Sequence, residues 1–357
     1  MANFDINSTY IMRALIDEIT PENFFFKSRY FPTGAGDIFN SDFVLAEYRK
    51  NGRRMAPFVS ERGEAVPVER NGSEMWQIAP AKIAVKRSLT VDDVKKRGFG
   101  EALFSNLTPE QRAARLQKKD LSDLDKLIER REEWMCVNTM LNNECVMQEM
   151  VDAKIFGNEK RAAFYSGSKS EHKYTVTAPW TSASAKIIDD VYAMCMLLAK
   201  RGLNPTDLVF GADVADVFYR DPAIRELLNR NLMINFGAIN EQIKYPGVST
   251  LGSFNFRGFV LQIFVVSTSY EDENGEDTPY FPTDSIMVTF PNCGHMMYGA
   301  ITQMKYKGEN LETIAAKRVP KFYVDSEHDV REITLATRPL AAPNTYCPYI
   351  VADRVLK

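Results

Sequence analysis

The stretch from Thr108 to Met150, TPEQRAARLQKKDLSDLDKLIERREEWMCVNTMLNNECVMQEM, contains no proline or glycine after Pro109. Those two residues are the strongest helix breakers, so a long run without them restricts the fold more than any other feature of this chain. Thr108 and Gln111 have capping-box spacing, and Pro109 occupies a first-turn position whose N–H would be unbonded in any case. Leu121, Leu124, Leu127, Ile128, Trp134, Val137 and Leu141 recur at helical spacing. A helix over the whole run would reach about 60 Å, longer than a small domain is wide. A coiled coil requires a heptad register, and Gln117 to Asp120 and Asn142-Asn143 interrupt every register. The run predicts a long spine broken in places, or two helices in series. Its charged segment DKLIERREE is expected on a surface or an interface.

Ahead of this run lies a stretch of opposite character. MAPFVSERGEAVPVERNG, Met55 to Gly72, alternates apolar, charged and turn residues, and Pro57 and Pro67 interrupt any regular strand. Turn signals stand at Glu61–Gly63 and Arg70–Gly72, and the alternation of Ile83 and Val85 predicts a returning strand. The segment reads as a long two-stranded loop. Such a ribbon is marginal alone in water and needs another surface to dock on.

Elsewhere the signals are those of a compact α/β unit. SAKIIDDVYAMCMLLAKRG reads as an amphipathic helix stopped by Gly202, DLVFG as a buried strand, and ADVADVFYRDPAIRELLNR as two helices broken at Asp221-Pro222. FVLQIFVVSTSY and SIMVTF read as strands around a hairpin turning at Asn274-Gly275. Residues 151–182 read as irregular strands and loops, and the tail as strand, proline-rich connector and strand.

The chain has 357 residues, 45% apolar and 25% charged, an ordinary globular mixture that can build a sizeable core. Its formal charge of -3 does not favour tight electrostatic binding to nucleic acid, which needs a concentrated basic face. Five cysteines without a C-x-x-C pair suggest free thiols in a reducing compartment. Asp5, Arg13 and Asp17 interrupt the N-terminal region, which does not read as a signal peptide, and the longest uncharged apolar run, Val191 to Ala199, is far short of a bilayer span. These features point to a soluble cytosolic product without a membrane partner.

Catalytic patterns are scarce. Walker A, G-x-G-x-x-G, H-E-x-x-H and G-x-S-x-G motifs are all absent from the sequence. Cys293 and His295 could form a nucleophile pair or half a metal site, although a buried thiol beside a turn reads better. EDENGED, Glu271 to Asp277, lacks EF-hand spacing and reads as a solvated hairpin tip. Asp92-Asp93 and Asp189-Asp190 read as helix-start carboxylates. Arg130-Arg131 read as surface residues neutralised by Glu129, Glu132 and Glu133. The aromatic run NFFFKSRYF is too short for a membrane anchor and is expected to pack on the subunit or a neighbour. No catalytic, metal-binding or cofactor-binding residue is assigned, and no enzymatic activity is expected.

Taken in order, MAPFVSERGEAVPVERNG, PAKIAVKRSLTVDDVKKRGFGE, TPEQRAARLQKKDLSDLDKLIERREEWM, WTSASAKIIDDVYAMCMLLAKRGLNPTDLVFGADVADVF and the closing LATRPLAAPNTYCPYIVADRVL resemble the lambda-type major capsid protein E family of tailed phages. The resemblance implies an α+β subunit of the Hong Kong phage-type capsid fold. Residues 1–46 would be an N-terminal arm and 47–88 an extended loop lying across a neighbouring copy. Residues 89–182 would form a peripheral domain with the spine helix, 183–320 an axial domain, and 321–357 strands returning to the peripheral domain. It implies a structural head protein that assembles in the bacterial host cytoplasm into hexamers and pentamers of an icosahedral virion shell. Its partners would be further copies, a scaffolding protein, the portal, a decoration protein as an optional addition, and weakly contacted double-stranded DNA. Arg53, Arg54, Arg62 and Glu64, the charges of the loop, are the candidate intersubunit contacts. Lys82 and Lys86 lie in or near the loop, but no isopeptide partner is evident. An encapsulin-like compartment shell is the nearest alternative. An α/β enzyme using Cys293 and His295, or a tail or portal component, is more distant.

Overall fold

In a computed structural model of the chain, the described residues are 24–49, 73–95, 108–152, 155–165, 171–229, 245–272, 275–304, 310–325 and 327–357. Among the described residues, three α-helices precede residue 150: α1 (Phe25–Tyr30), α2 (Val91–Lys95) and α3 (Pro109–Asn142). α3 is one unbroken helix of 34 residues, about 50 Å long. The capping box forms as expected, with Gln111 N donating to Thr108 Oγ1 at 3.3 Å and Thr108 N to Gln111 Oε1 at 3.1 Å. The helix ends earlier than its sequence suggests. Asn143 adopts the left-handed conformation (φ 55°), and the chain becomes strand β4 (Glu144–Asp152). Asn tolerates that conformation better than most residues, and Cys145 and Met147 then alternate into the core.

The other strands of the first half are β1 (Val44–Arg49), β2 (Ser73–Ile78), β3 (Ile83–Thr90) and β5 (Ile155–Ala163). β4 and β5 form a hairpin, so the region expected to be irregular begins with regular structure. β1 and β2 pair from Val44↔Ile78 to Arg49↔Ser73. β3 does not extend that ribbon. It is the edge of a three-stranded sheet with β16 (Val330–Thr337) and β15 (Val319–Asp325). α3 lies on this sheet, burying Leu121, Leu124 and Ile128 against Phe322, Ile333 and Leu335.

The α/β unit contains helices α4 (Ile187–Lys200), α5 (Ala212–Arg220) and α6 (Pro222–Asn229). Its strands are β6 (Asp207–Gly211), β7 (Val248–Phe256), β8 (Phe259–Val266), β11 (Ile286–Thr289) and β18 (Ile350–Ala352), in the order β18-β11-β6-β8-β7. Only the β6–β8 pair is parallel. The closing strand β18 thus pairs with β11 rather than with β15 or β16. Gly202 stops α4 at φ +77°, and Asp221 separates α5 from α6, its carboxylate accepting from Ala223 N at 2.8 Å and Ile224 N at 3.0 Å. Short ribbons complete the chain: β9 (Ser269–Glu271) with β10 (Asp277–Pro279), β12 (Gly294–Tyr298) with β17 (Pro339–Pro343), and β13 (Ile301–Met304) with β14 (Leu311–Ile314).

Side-chain alternation on the central strands divides the interior. Leu208, Phe210, Leu261 and Ile263 face α4 and α5, while Val209 and Phe264 face a second core. That second core receives Phe25, Phe26, Tyr30 and Phe31 from the N-terminal segment, together with Met135 and Met140 of α3. Each of these aromatics is almost fully buried, contributing roughly 2–3 kcal/mol. The NFFFKSRYF run therefore packs inside its own subunit. Among the described residues no helix is long and apolar enough to cross a membrane.

Candidate functional site: a buried ion cluster and the exposed ribbon

The chemistry of the described residues is concentrated where α1, α3 and the start of β15 meet. Arg318 is buried and donates from Nε to Asp125 Oδ1 at 2.5 Å, and from Nη1 and Nη2 to the two oxygens of Glu132 at 2.7 and 3.1 Å. Lys27 Nζ reaches Glu132 Oε2 at 2.7 Å and Glu129 Oε1 at 3.4 Å. Glu133 caps α1 from outside, accepting Phe26 N and Lys27 N, each at 2.8 Å. That cap is needed because Phe24, at the helix start, supplies no side-chain acceptor.

Burial opposes the ionisation of Glu132, but Arg318 and Lys27 outweigh it and hold this carboxyl at about 2. Burial pushes Glu133 up to about 7, against the pull of its two backbone donors, and raises Glu129 as well. The cluster binds three chain segments through charges that are buried at Glu132 and Arg318 and partly exposed at Lys27. Removing one partner of such an arrangement would leave the others buried and uncompensated.

This overturns one sequence expectation. Glu129, Glu132 and Glu133 do not neutralise Arg130 and Arg131 on a solvent face. All three are buried, and Arg131 instead stacks its guanidinium over Trp134 at 5.3 Å. A signal was available in the sequence. At 100° per residue, Asp125 and Glu132 lie on the same stripe as Leu121 and Ile128. Their partners Lys27 and Arg318 stand far away in sequence and left no local trace.

Two further anchors secure the same scaffold. Arg29 grips Asp207 through Nε and Nη2 at 2.5 and 3.0 Å, and Tyr30 Oη donates to Asp207 Oδ2 at 3.0 Å, tying α1 to β6. Asp190 accepts from Tyr174 Oη, Thr177 Oγ1 and Trp180 Nε1, each at 3.0 Å. Asp189-Asp190 therefore do more than complement a helix start. Asp190 is a buried acceptor holding residues 174–180 against α4, and Asp189 pairs with Arg257. At the other expected pair, Asp93 accepts from Thr90 N at 3.0 Å and Thr90 Oγ1 at 2.6 Å, a cap as predicted.

The remaining candidates do not converge. Arg53, Arg54, Arg62 and Glu64 lie outside the described residues, as does the whole 50–72 segment. Cys293 is fully buried, and burial pushes its thiol up to about 12, which leaves no thiolate for attack. His295 Nδ1 lies 3.3 Å from Asp37 Oδ2. The Glu271–Asp277 turn uses Asp272 internally, its Oδ1 accepting from Glu276 N at 2.9 Å. Among the described residues no group of three or more acidic, histidine or cysteine side chains is placed to hold a metal. Lys86 pairs with Glu332 at 3.3 Å. All five cysteines are free and buried.

An exposed feature among the described residues is the outer face of the β1–β2 ribbon. Val44 and Ala46 face the core, while Leu45 and Met75 on the opposite face are 43% and 60% exposed. Phe43 beside them is exposed as well.

Comparison with known proteins agrees with this architecture. The family described as phage major capsid protein E matches residues 8–349. No curated protein matches the sequence. A prophage capsid protein from E. coli CFT073 superposes with a TM-score of 0.66 at 15% identity, covering 97% of this chain and 98% of the other. A phage-related protein from Bordetella bronchiseptica RB50 superposes at 0.52 with 12% identity, over 98% and 97% of the two chains. An encapsulin complex from Synechococcus elongatus PCC 7942 reaches only 0.44 at 8% identity, over 97% and 96%. The family match runs almost from end to end, over a subunit organised around a long helix, an α/β sheet unit and the β1–β2 ribbon, and the chain belongs to the phage major capsid protein E family.

Proposed function

We propose that this subunit of the icosahedral head uses the segment between β1 and β2 as its principal reach onto the next copy. The supporting observation is the pairing of Arg49 with Ser73, which brings the two ends of the 50–72 segment together at one point of the subunit. The outward face of the same ribbon carries Leu45 and Met75, apolar area that a neighbouring copy would cover. Arg53, Arg54, Arg62 and Glu64 would make ion pairs with that neighbour. Closed shells repeat one such contact by symmetry, and many modest interfaces then act together.

In this reading residues 1–46 serve as an N-terminal arm and 47–88 as the extended loop. Residues 89–182 form the peripheral domain, 183–320 the axial domain, and 321–357 the closing strands. β18 is grouped with the axial unit because it pairs with β11. Hexamers and pentamers would assemble in the host cytoplasm with a scaffolding protein and a portal, and a decoration protein would bind the outside. The subunit would act without catalytic turnover. Deleting Met55 to Gly72 tests the reading. The variant should stay monomeric with an unchanged near-ultraviolet spectrum while the parent forms shells by electron microscopy. An unfolded variant, or a variant that still forms shells, would sink it.

A further inference from the structure

The first two-thirds of α3 has two unlike faces. Leu121, Leu124 and Ile128 are buried on the three-stranded sheet. At 100° per residue, the opposite face carries Arg112, Arg115, Lys119, Lys126 and Arg130. Arg115, Lys119 and Arg130 are exposed, and Arg112 and Lys126 are half-buried. Asp123 shares this face, and its carboxylate and that of Asp120 converge on Arg87 Nη1, at 3.1 and 2.9 Å, which offsets part of their charge. Past Arg131 the helix enters the core, with Glu132, Glu133, Met135 and Cys136 all buried, so the stripe ends there. In a chain with a formal charge of -3, the exposed Arg115, Lys119 and Arg130 on one helix face make a local field that the total composition conceals.

We infer that this stripe is a docking surface for a phosphate backbone, that of double-stranded DNA enclosed by the shell. From Arg112 to Arg130 the helix advances about 27 Å, the length of about eight base pairs. The cations fall at intervals of about 5 to 10 Å along the axis, on the scale of the DNA grooves. Such contacts bind phosphates and read no bases, as a shell that holds any genome requires. Few phosphates are engaged per subunit, so each contact is weak and the shell acts through their number. The inference rests on the shell reading, because a closed shell is what confines DNA against its own subunits.

The test uses the full chain before assembly and a labelled mixed-sequence duplex of about twenty base pairs. Anisotropy across salt should give a log–log slope of about -4, a loss of about 10²-fold between about 50 and about 200 mM. The triple variant Arg115→Gln, Lys119→Gln, Arg130→Gln should bind more weakly and lose about three from the magnitude of that slope. Arg115→Lys with Arg130→Lys should keep both affinity and slope. Equal slopes for parent and triple variant would overturn the assignment. So would equal binding of polyglutamate of matched charge, which would mark the surface as fitted to an acidic protein segment. Electron microscopy of the same proteins adds a second readout. Triple-variant shells that retain less DNA support the inference. A folded triple variant that forms no shells makes the stripe a subunit contact and overturns it. Failure of the parent itself to form shells would strike the shell reading instead, leaving the salt slope to judge the stripe by itself.

Discussion

Replacing Arg318 with Met should be among the most damaging single changes in this subunit. The guanidinium makes three charge-assisted bonds to Asp125 and Glu132, and both carboxylates are buried. Methionine fills much of the volume but leaves Asp125 without this partner and Glu132 with Lys27 alone. Breaking a buried pair from one side costs about 3–5 kcal/mol, because the surviving charge stays desolvated. That is a large share of the about 5–15 kcal/mol that stabilises an ordinary domain. Equilibrium urea unfolding of the unassembled subunit at neutral pH, followed by tryptophan fluorescence, measures the loss. The pH dependence supplies a second check. Glu132 is held at about 2 in the folded chain against 4.5 when unfolded. The unfolded state therefore binds more protons between these values, and the stability from this group is present above pH 4.5 and lost as pH falls toward 2. The gap between parent and variant should narrow over that window, since a protonated Glu132 no longer depends on Arg318. Adding Asp125→Leu alone to Arg318→Met should recover part of the loss, because it removes the carboxylate left without this partner while Glu132 keeps Lys27. A neutral-pH gap below about 1 kcal/mol, or one that ignores pH, would refute the account of this cluster as a desolvated, mutually dependent set.

Three other expectations concern the same scaffold. Gly211→Ala would place a Cβ 2.3 Å from Pro282 O and 2.4 Å from Thr283 O, both backbone atoms with little room to yield. A loss of about 3 kcal/mol or more is expected from thermal unfolding, and a neutral result would show that the β6–α5 corner relaxes easily. Glu133→Gln should flatten the decline in stability between pH 4.5 and about 7, where the raised carboxyl of the parent keeps a proton that the unfolded chain has released; an unchanged slope in denaturation series across that window would contradict the burial assigned to this group. Cys293, buried and pushed up to about 12, should resist iodoacetamide in the folded subunit and react only in urea, as read by mass spectrometry. Rapid native labelling would revive the nucleophile reading.

Local rules were enough wherever an element depends on its own residues. Thr108, Pro109 and Gln111 start α3 where they stand, Gly202 stops α4, and Asp221-Pro222 parts two helices, because caps and breaks are settled within a turn of chain. The order of motifs along the chain was sufficient to suggest the family as well. What the sequence could not disclose was which distant partners the charges of α3 would meet. Glu129, Glu132 and Glu133 look like a solvated run until Lys27 and Arg318 arrive from opposite ends of the chain and satisfy two of them, while two backbone N–H groups take the third. Asp190 looks like a helix-start carboxylate until Tyr174, Thr177 and Trp180 fold over it. β3 could not show from its own alternation that its partner is β16 rather than the ribbon beside it, nor could residues 350–352 show that they close the α/β sheet. Caps, breaks and family were legible in the residues alone, since those rest on short-range geometry and motif order. Strand partners and buried charge emerged only on folding, since a strand edge accepts many partners and a carboxylate can be buried only once its distant donors are in place.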